Sequence, residues 1–182
     1  KFVDPKGVVS AIKASQASGI PLKIVGNVED KKFYDELVAP NLSDRIELIG
    51  GISSEQNLTR EQVRDLHQNA MAFIFPINWE EPFGLVMTEA MSCGTPVIGY
   101  NRGSVSELVR DGITGFVIEP EESIGESKWL IKKKGIEGLV EALKGVREID
   151  RKVCRKHVEE SFSVEKMVEG YEKVYREIMG KK

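Results

Sequence analysis

The sequence WEEPFGLVMTEAMSCGTP occupies residues 79–96 and lies between two short apolar segments. AFIFP at residues 72–76 predicts a buried strand before it, and VIGY at residues 97–100 predicts a second strand after it. A helix is predicted over residues 83–93, because a glycine and then a proline follow at the positions where such residues end helices. The stretch therefore predicts one strand–loop–helix–strand unit of an α/β protein.

The start of this helix predicts a site for an anion such as a diphosphate, since a helix N-terminus offers free backbone N–H groups and a positive dipole end. These N–H groups belong to Gly84, Leu85 and Val86, and Gly84 lets the backbone approach a ligand closely because it lacks a Cβ atom. Glu89 lies about five residues into the helix, roughly 7 Å along its axis. It could there accept from the ribose hydroxyls of a nucleotide. Glu81 precedes the helix, on the side where a sugar attached to the diphosphate would lie.

Three further segments extend this pattern along the chain. PKG at residues 5–7 precedes a predicted helix, and GSVSE at 103–107 and DGITGF at 111–116 follow the second strand. Together with the E-x7-E spacing of Glu81 and Glu89, the ordered set resembles the donor-site signature of family 4 (group 1) retaining glycosyltransferases. These enzymes have the two-domain GT-B fold, and the resemblance, to its C-terminal donor-binding domain, covers nearly the whole chain.

The resemblance implies transfer of a sugar from a nucleotide-diphosphate donor to an acceptor hydroxyl, with retention of the anomeric configuration. It implies that Lys6 contacts the donor diphosphate, that Glu81 holds sugar hydroxyls and that Glu89 holds the ribose. Lys6 and Glu81 are the predicted catalytic residues. No metal or other cofactor is expected, because lysine and a helix N-terminus would neutralise the leaving group. The predicted donor-binding residues are Lys1, Lys6, Asn27, Glu81, Phe83, Gly84, Leu85, Val86 and Glu89.

Some positions depart from the family pattern or are less specific. Lys1 occupies a position where the family usually has arginine, and lysine supplies charge without a planar bidentate fork. Ser104 and Ser106 replace the glycine and proline of G-G-x-P-E, and both could cap a helix that starts near Val105. Asn27 follows a predicted strand, at the end where such sheets face their ligands.

For several of these residues, an ordinary structural role is an alternative to the functional one. Glu80 is expected to be an ordinary solvated side chain. Lys6 could be a common first-turn lysine, and Glu81 could merely end the turn before Pro82. Residues 132–134 are three lysines that could touch an anionic membrane carrying a lipid-linked acceptor, or simply form a solvated loop.

Composition excludes several classes of protein. The 182 residues carry 26 lysines and arginines against 29 acidic residues, for a net charge of −3, so no basic surplus favours nucleic acid. No apolar run is long enough to span a membrane. Cys93 and Cys154 fall on separate predicted helices and favour a reduced, cytoplasmic protein, peripheral to the inner membrane face if it meets a lipid-linked acceptor. His67 and His157 have polar neighbours and are expected at the surface.

The alternation of predicted elements indicates an α/β fold, a Rossmann-like parallel sheet with helices on both faces. It is expected to be the C-terminal half of a GT-B glycosyltransferase. The predicted helices cover residues 6–18, 31–38, 60–69, 83–93, 104–110, 136–146, 151–160 and 164–179. The predicted strands cover residues 22–26, 46–49, 72–75, 97–100 and 115–117.

The whole chain, residues 1–182, is predicted to be one nucleotide-sugar binding domain. The resemblance implies that the helix at 164–179 crosses towards an N-terminal acceptor-binding domain, and that a strand ending before residue 5 lies mid-sheet. The apolar stripe of that helix is expected to favour self-association or a second chain. The acceptor could be a glycan, a lipid-linked molecule or a small molecule. A nucleotide-sugar epimerase or a glycan synthase of the same fold, or a non-catalytic nucleotide-binding module, remain alternatives.

Overall fold

The computed structural model describes residues 6–50 and 58–180, and Lys1 and the expected strand before residue 5 lie outside these ranges. Strands and helices alternate up to residue 145, as predicted, and two further helices follow with no strand between them. In order they are α1 (Val8–Ser18), β1 (Leu22–Val25), α2 (Lys31–Phe33, continued by a π-helical turn, Tyr34–Val38), β2 (Ile46–Ile49), α3 (Arg60–Asn69), β3 (Phe73–Phe75), α4 (Leu85–Ser92), β4 (Val97–Tyr100), α5 (Val105–Leu108), β5 (Gly115–Ile118), α6 (Gly135–Gly145), α7 (Arg151–Ser161) and α8 (Val164–Met179).

All strand pairs in the described part of the chain are parallel. β1 pairs with β2, and β4 pairs with β3 on one side and with β5 on the other. Every residue of β4 is buried, which requires cover on both faces of the sheet, and α4 and α6 both pack on this strand. The predicted α/β fold with parallel strands and helices on both faces is therefore confirmed, although the strands within the described residues form two sheets, β1–β2 and β3–β4–β5, and not one.

The core forms two apolar clusters. The larger one lies between β3, β4 and β5 and the helices α4, α6 and α7. The smaller one joins α1, α2, β1 and β2.

The predicted elements are all present among the described residues, with ends that differ by at most two residues. The predicted starts at residues 6 and 83 are each two residues early. Gly7 and Gly84 are the residues that precede these helices, with φ values of 72° and 78°. A left-handed residue does not belong to a right-handed helix, so α1 begins at Val8 and α4 at Leu85.

The expected surface position of His157 is wrong. Its side chain is buried in α7, three residues after the buried Cys154, and the two therefore share the inner face of that helix. The Nε2 atom lies 2.9 Å from the carbonyl oxygen of Leu108 and donates to it, and the ring packs edge-on against Phe162. The charged residues next to His157 in the sequence favoured a surface position, so the three-residue spacing from Cys154 was not recognised as an inner face.

Both cysteines are free. Cys154 is buried, and burial raises the pKa of its thiol to about 11. The thiol is therefore protonated at neutral pH and is not an activated nucleophile.

Helix α8 exposes a continuous apolar face. None of its residues is buried, and Ser163 caps its start by accepting from the N–H of Lys166. An interface on this face, with a second copy or an N-terminal domain, stays a prediction. The exposed apolar side chains are Val164, Met167, Val168, Tyr171, Val174, Tyr175, Ile178 and Met179.

Within the described ranges, no helix has both the length and the apolar character needed to cross a bilayer. Two of the three lysines at 132–134 are used inside their own loop. Lys132 donates to the carbonyl oxygens of Ser127 and Trp129, and Lys134 to those of Ser123 and Gly125. Membrane contact by this triplet stays a prediction that these hydrogen bonds do not favour.

Candidate functional site

The candidate site lies where the carboxyl end of β3 meets the N-termini of α1 and α4. We call residues 76–84, which join β3 to α4, the β3–α4 loop. Gly7 packs directly on the start of this loop, since a Cβ atom at Gly7 would overlap the carbonyl group of Pro76. This contact seats the N-terminus of α1 on the end of β3 and brings Lys6 to the loop.

The structure brings together the two predicted catalytic residues, Lys6 and Glu81. The Nζ atom of Lys6 lies 3.5 Å from Oε2 of Glu81, and the side chains are 34% and 16% exposed. The same ammonium lies 4.5 Å from the ring centroid of Trp79. An aromatic face attracts a cation, so Trp79 and Glu81 hold Lys6 from two sides.

Sequence reasoning missed Trp79 as a site residue. The signal was present, because an aromatic residue stands two positions before Glu81 in the same motif. Its contact with Lys6, however, joins residues far apart in the chain, and only the fold shows it.

The N-terminus of α4 is left open by side chains. Gly84 precedes the helix, and among the described residues no side chain caps it. The N–H of Met87 donates to the carbonyl oxygen of Gly84 at 2.9 Å, whereas the N–H groups of Leu85 and Val86 belong to the first turn, which has no intrahelical acceptor. The side chains of both residues are exposed.

Gly84 is required by the backbone conformation and the local packing, as well as for a close approach of ligand. Its φ of 78° is in the left-handed region, and a Cβ atom there would lie 2.5 Å from Cε of Met87 and 3.2 Å from Cγ of Glu81. The Glu81 side chain thus packs over the turn that begins α4. The sugar-binding candidate and the free amides are therefore adjacent.

Glu89 is exposed. It lies on the same face of α4 as Leu85 and Val86, since residues three and four apart share a helix face. Its charge also reaches His67 of α3. Burial lowers the pKa of His67, and the Glu89 carboxylate opposes that change. His67 is half-buried, so its expected surface position is only partly correct.

Asn27 belongs to a cavity at the ends of two other strands. It follows β1 and lines a cavity of about 310 Å³ at the carboxyl ends of β1 and β2. Neither Lys6 nor Glu81 belongs to the lining. The residues that form it are Val25, Gly26, Asn27, Glu29, Ile49, Gly50, Leu58 and Val63.

The turn between β4 and α5 holds the β3–α4 loop. The N–H of Ser104 donates to the carbonyl oxygen of Glu81 at 2.9 Å, and its hydroxyl donates to that of Phe83 at 2.6 Å. The expectation that the Ser104 side chain caps α5 is wrong, because its hydroxyl is used in this contact. The ring of Phe83 is partly exposed and packs edge-on against Phe162.

Glu80 is 70% exposed, as expected for a solvated side chain, but it also makes contacts that the sequence did not predict. Its carboxylate accepts from Arg102 at 3.3 Å and from the N–H of Gly103. This contact joins residues more than 20 positions apart, and no local pattern predicts it.

Within residues 6–50 and 58–180, no group of three or more histidine, cysteine, aspartate or glutamate side chains is arranged to hold a metal ion. The positive charge near Glu81 comes from Lys6 and from the open end of α4. Independence from metal stays a prediction.

Comparison with known proteins identifies the family. The family described as "Glycosyl transferases group 1" matches residues 2–133. The chain belongs to this family. It is 29% identical over 178 residues to an uncharacterized glycosyltransferase of Methanocaldococcus jannaschii, a match that covers 97% of this chain and 46% of that protein. The chain thus spans less than half of the length of that relative.

Solved structures agree on the fold. A glycosyltransferase from Rickettsia africae superposes with a TM-score of 0.75 at 21% identity, covering 98% of this chain and 46% of the other. The C-terminal domain of a glycosyl transferase group 1 family protein from Francisella tularensis superposes with a TM-score of 0.67 at 19% identity, covering 90% of this chain and 83% of that one. The predicted fold, half of a GT-B glycosyltransferase, is confirmed.

Proposed function

We propose that this chain is the donor-binding half of a retaining glycosyltransferase that transfers a sugar from a nucleotide diphosphate to an acceptor hydroxyl. The observation that carries the proposal is the position of Lys6 beside Glu81, next to the open N-terminus of α4. Few other ligands are bound by a cation, free backbone N–H groups and a carboxylate that lie next to one another. A sugar diphosphate needs all three.

Each group has one role in this proposal. The Lys6 ammonium and the N–H groups of Leu85 and Val86 stabilise the diphosphate as the bond to the sugar breaks. The Glu81 carboxylate accepts from sugar hydroxyls, and the Glu89 carboxylate accepts from the ribose. Catalysis is then leaving-group stabilisation and positioning. Retention is proposed from the resemblance to retaining enzymes.

Lys6 and Glu81 form an ion pair with each other, and the donor must break this pair when it binds. At 3.5 Å the pair is loose, and both groups keep some exposure to solvent. A diphosphate offers the ammonium more negative charge than one carboxylate does, so Lys6 can turn to the phosphates. Glu81 is then released to accept from sugar hydroxyls.

The acceptor and the remaining catalytic groups are proposed to belong to an N-terminal domain of the full-length enzyme. This chain by itself should therefore bind donor without turning it over. We place the reaction in the cytoplasm, which fits two free cysteines. No metal is required in this proposal, because Lys6 and α4 supply the positive charge.

The ribose role of Glu89 predicts a loss of nucleotide affinity. Glu89→Gln should weaken binding of UDP, GDP or ADP, whichever binds, by about 1–3 kcal/mol, the usual range for a hydrogen bond to a charged group. Isothermal titration calorimetry measures this change. Glu137→Gln, which alters an exposed glutamate at the start of α6, is the matched control and should have no effect. Unchanged affinity for all three nucleotides would remove Glu89 from the site.

The sugar role of Glu81 predicts a change that depends on the ligand. Glu81→Ala should weaken binding of a nucleotide sugar by about tenfold, or ~1.4 kcal/mol, and should not weaken binding of the bare nucleoside diphosphate, because Lys6 no longer has to leave a carboxylate to reach the phosphates. The comparison pairs UDP-glucose with UDP, GDP-mannose with GDP and ADP-glucose with ADP in the same titrations. Equal losses for the two members of a pair would contradict the assignment.

A further inference from the structure

Arg102 lies between two loops at the carboxyl end of the sheet. It stands in the turn between β4 and α5. Its Nη1 atom is 3.3 Å from Oε1 of Glu80, and its Nη2 atom contacts Oε1 of Glu122 in the loop after β5. The side chain is only 23% exposed, and Nε is buried with no hydrogen-bond partner in the described part of the chain. The guanidinium therefore bridges the β3–α4 loop and the loop that follows β5.

The next two residues hold the same part of the β3–α4 loop. The N–H of Gly103 donates to the second carboxylate oxygen of Glu80, and the N–H of Ser104 donates to the carbonyl oxygen of Glu81. Gly103 has a φ of 51°, and a Cβ atom there would lie 2.3 Å from that carbonyl oxygen. Three consecutive residues thus fix the Glu80 side chain and the Glu81 main chain.

This network contributes more to geometry than to stability. The Glu80 and Glu122 side chains are 70% and 64% exposed, and ion pairs of such groups stabilise a fold only slightly. Removing the Arg102 guanidinium should therefore leave the domain folded. Its main effect should be on the freedom of the loop that carries Glu81.

We propose that Arg102 is a positioning residue of the donor site. By holding Glu80 it keeps the neighbouring Glu81 carboxylate beside Lys6, where it receives the donor sugar. The proposal rests on the function proposed above. In this proposal Arg102 acts through the loop and not by contact with the diphosphate, and its guanidinium holds two carboxylates on two different loops.

Two variants that remove charges of opposite sign test this role. Arg102→Met removes a positive charge from the site, and Glu80→Ala removes a negative one. If Arg102 positions Glu81, both variants should weaken nucleotide-sugar binding by about fivefold, with less than about twofold change for the bare nucleoside diphosphate. If Arg102 attracted the diphosphate directly, Glu80→Ala would strengthen binding and Arg102→Met would weaken it.

The measurement is the ratio of the two dissociation constants, for UDP and UDP-glucose and for the matching GDP and ADP pairs. Arg102→Lys should give an intermediate ratio, because lysine cannot hold two carboxylates with a planar fork. Arg110→Met and Glu126→Ala change exposed residues of the same charges and should leave the ratio at the wild-type value. Circular dichroism verifies that each variant is folded.

Three outcomes overturn the proposal. They are an unchanged ratio in folded Arg102→Met, a stronger affinity in Glu80→Ala, and an equal loss for nucleotide and nucleotide sugar in Arg102→Met. Glu81→Ala in the same titrations separates this inference from the proposed function. If Glu81→Ala lowers sugar selectivity and Arg102→Met does not, only the positioning role fails. If Glu81→Ala has no effect on selectivity, the proposed sugar site itself fails.

Discussion

Replacing Gly7 by alanine is expected to lower the free energy of unfolding by about 2–5 kcal/mol. Two causes combine. The φ of 72° costs an alanine roughly 1–2 kcal/mol, and the added Cβ atom would overlap the Pro76 carbonyl, which is backbone and cannot turn aside. Either α1 or the end of β3 must move. Urea denaturation followed by circular dichroism measures the loss.

Gly19 provides a matched control at the other end of α1. Its φ is 69°, and a Cβ atom there would meet nothing within 4 Å. Gly19→Ala should therefore show only the conformational cost, roughly 1–2 kcal/mol. The difference between the two variants isolates the contact with Pro76. Equal losses would mean that α1 is not seated on β3 in solution, and the placement of Lys6 would lose its structural basis.

Local patterns were sufficient to predict the elements of this fold. The bounds predicted for α3, α8, β2 and β4 coincide with the structure, because each has a clear period or a clear end in the sequence. The starts of α1 and α4 were early by two residues, since the left-handed conformation of Gly7 and Gly84 depends on what the chain packs against. Glycine permits that conformation but does not require it.

The candidate site was predictable only in part. Lys6, Glu81 and Glu89 belong to an ordered motif, and the fold brings the first two to within 3.5 Å. Contacts made through the sheet could not be foreseen. Arg102 reaches Glu80 because β3 and β4 are neighbours, with Phe75 opposite Gly99, so the loops that follow these strands lie side by side. A spacing of 22 residues carries no such information by itself.

His157 shows how a local pattern misled. Basic residues and glutamates surround it in the sequence, and they favoured a surface position. His157 is buried instead, because it lies three residues from the buried Cys154 on the inner face of α7. Its Nε2–H donates to the carbonyl oxygen of Leu108. This hydrogen bond offsets part of the cost of burial, although the other ring nitrogen, Nδ1, is buried with no partner among the described residues.

The second large effect is expected for Lys6→Ala, which should weaken binding of nucleoside diphosphates by about 1.5–3 kcal/mol, or ~10- to 150-fold. The ammonium is the cation that the structure places beside Glu81 at 3.5 Å. Without it no cation stands between the Glu81 carboxylate, 16% exposed, and the incoming diphosphate, and the two negative groups repel each other. Calorimetry with UDP, GDP and ADP measures it, and the matching nucleosides should bind as before.

Two further variants separate the attraction of the diphosphate by Lys6 from repulsion by Glu81. Lys6→Arg keeps the charge and should retain most of the affinity. The double variant Lys6→Ala/Glu81→Gln removes the repelling carboxylate and should recover part of the loss for the bare nucleotide. Chelation with EDTA should leave wild-type affinity unchanged, because Lys6 and the N-terminus of α4 already neutralise the phosphates. A strict requirement for Mg²⁺ or Mn²⁺ would contradict this account, and so would full affinity in Lys6→Ala, since either result would place the neutralising charge elsewhere.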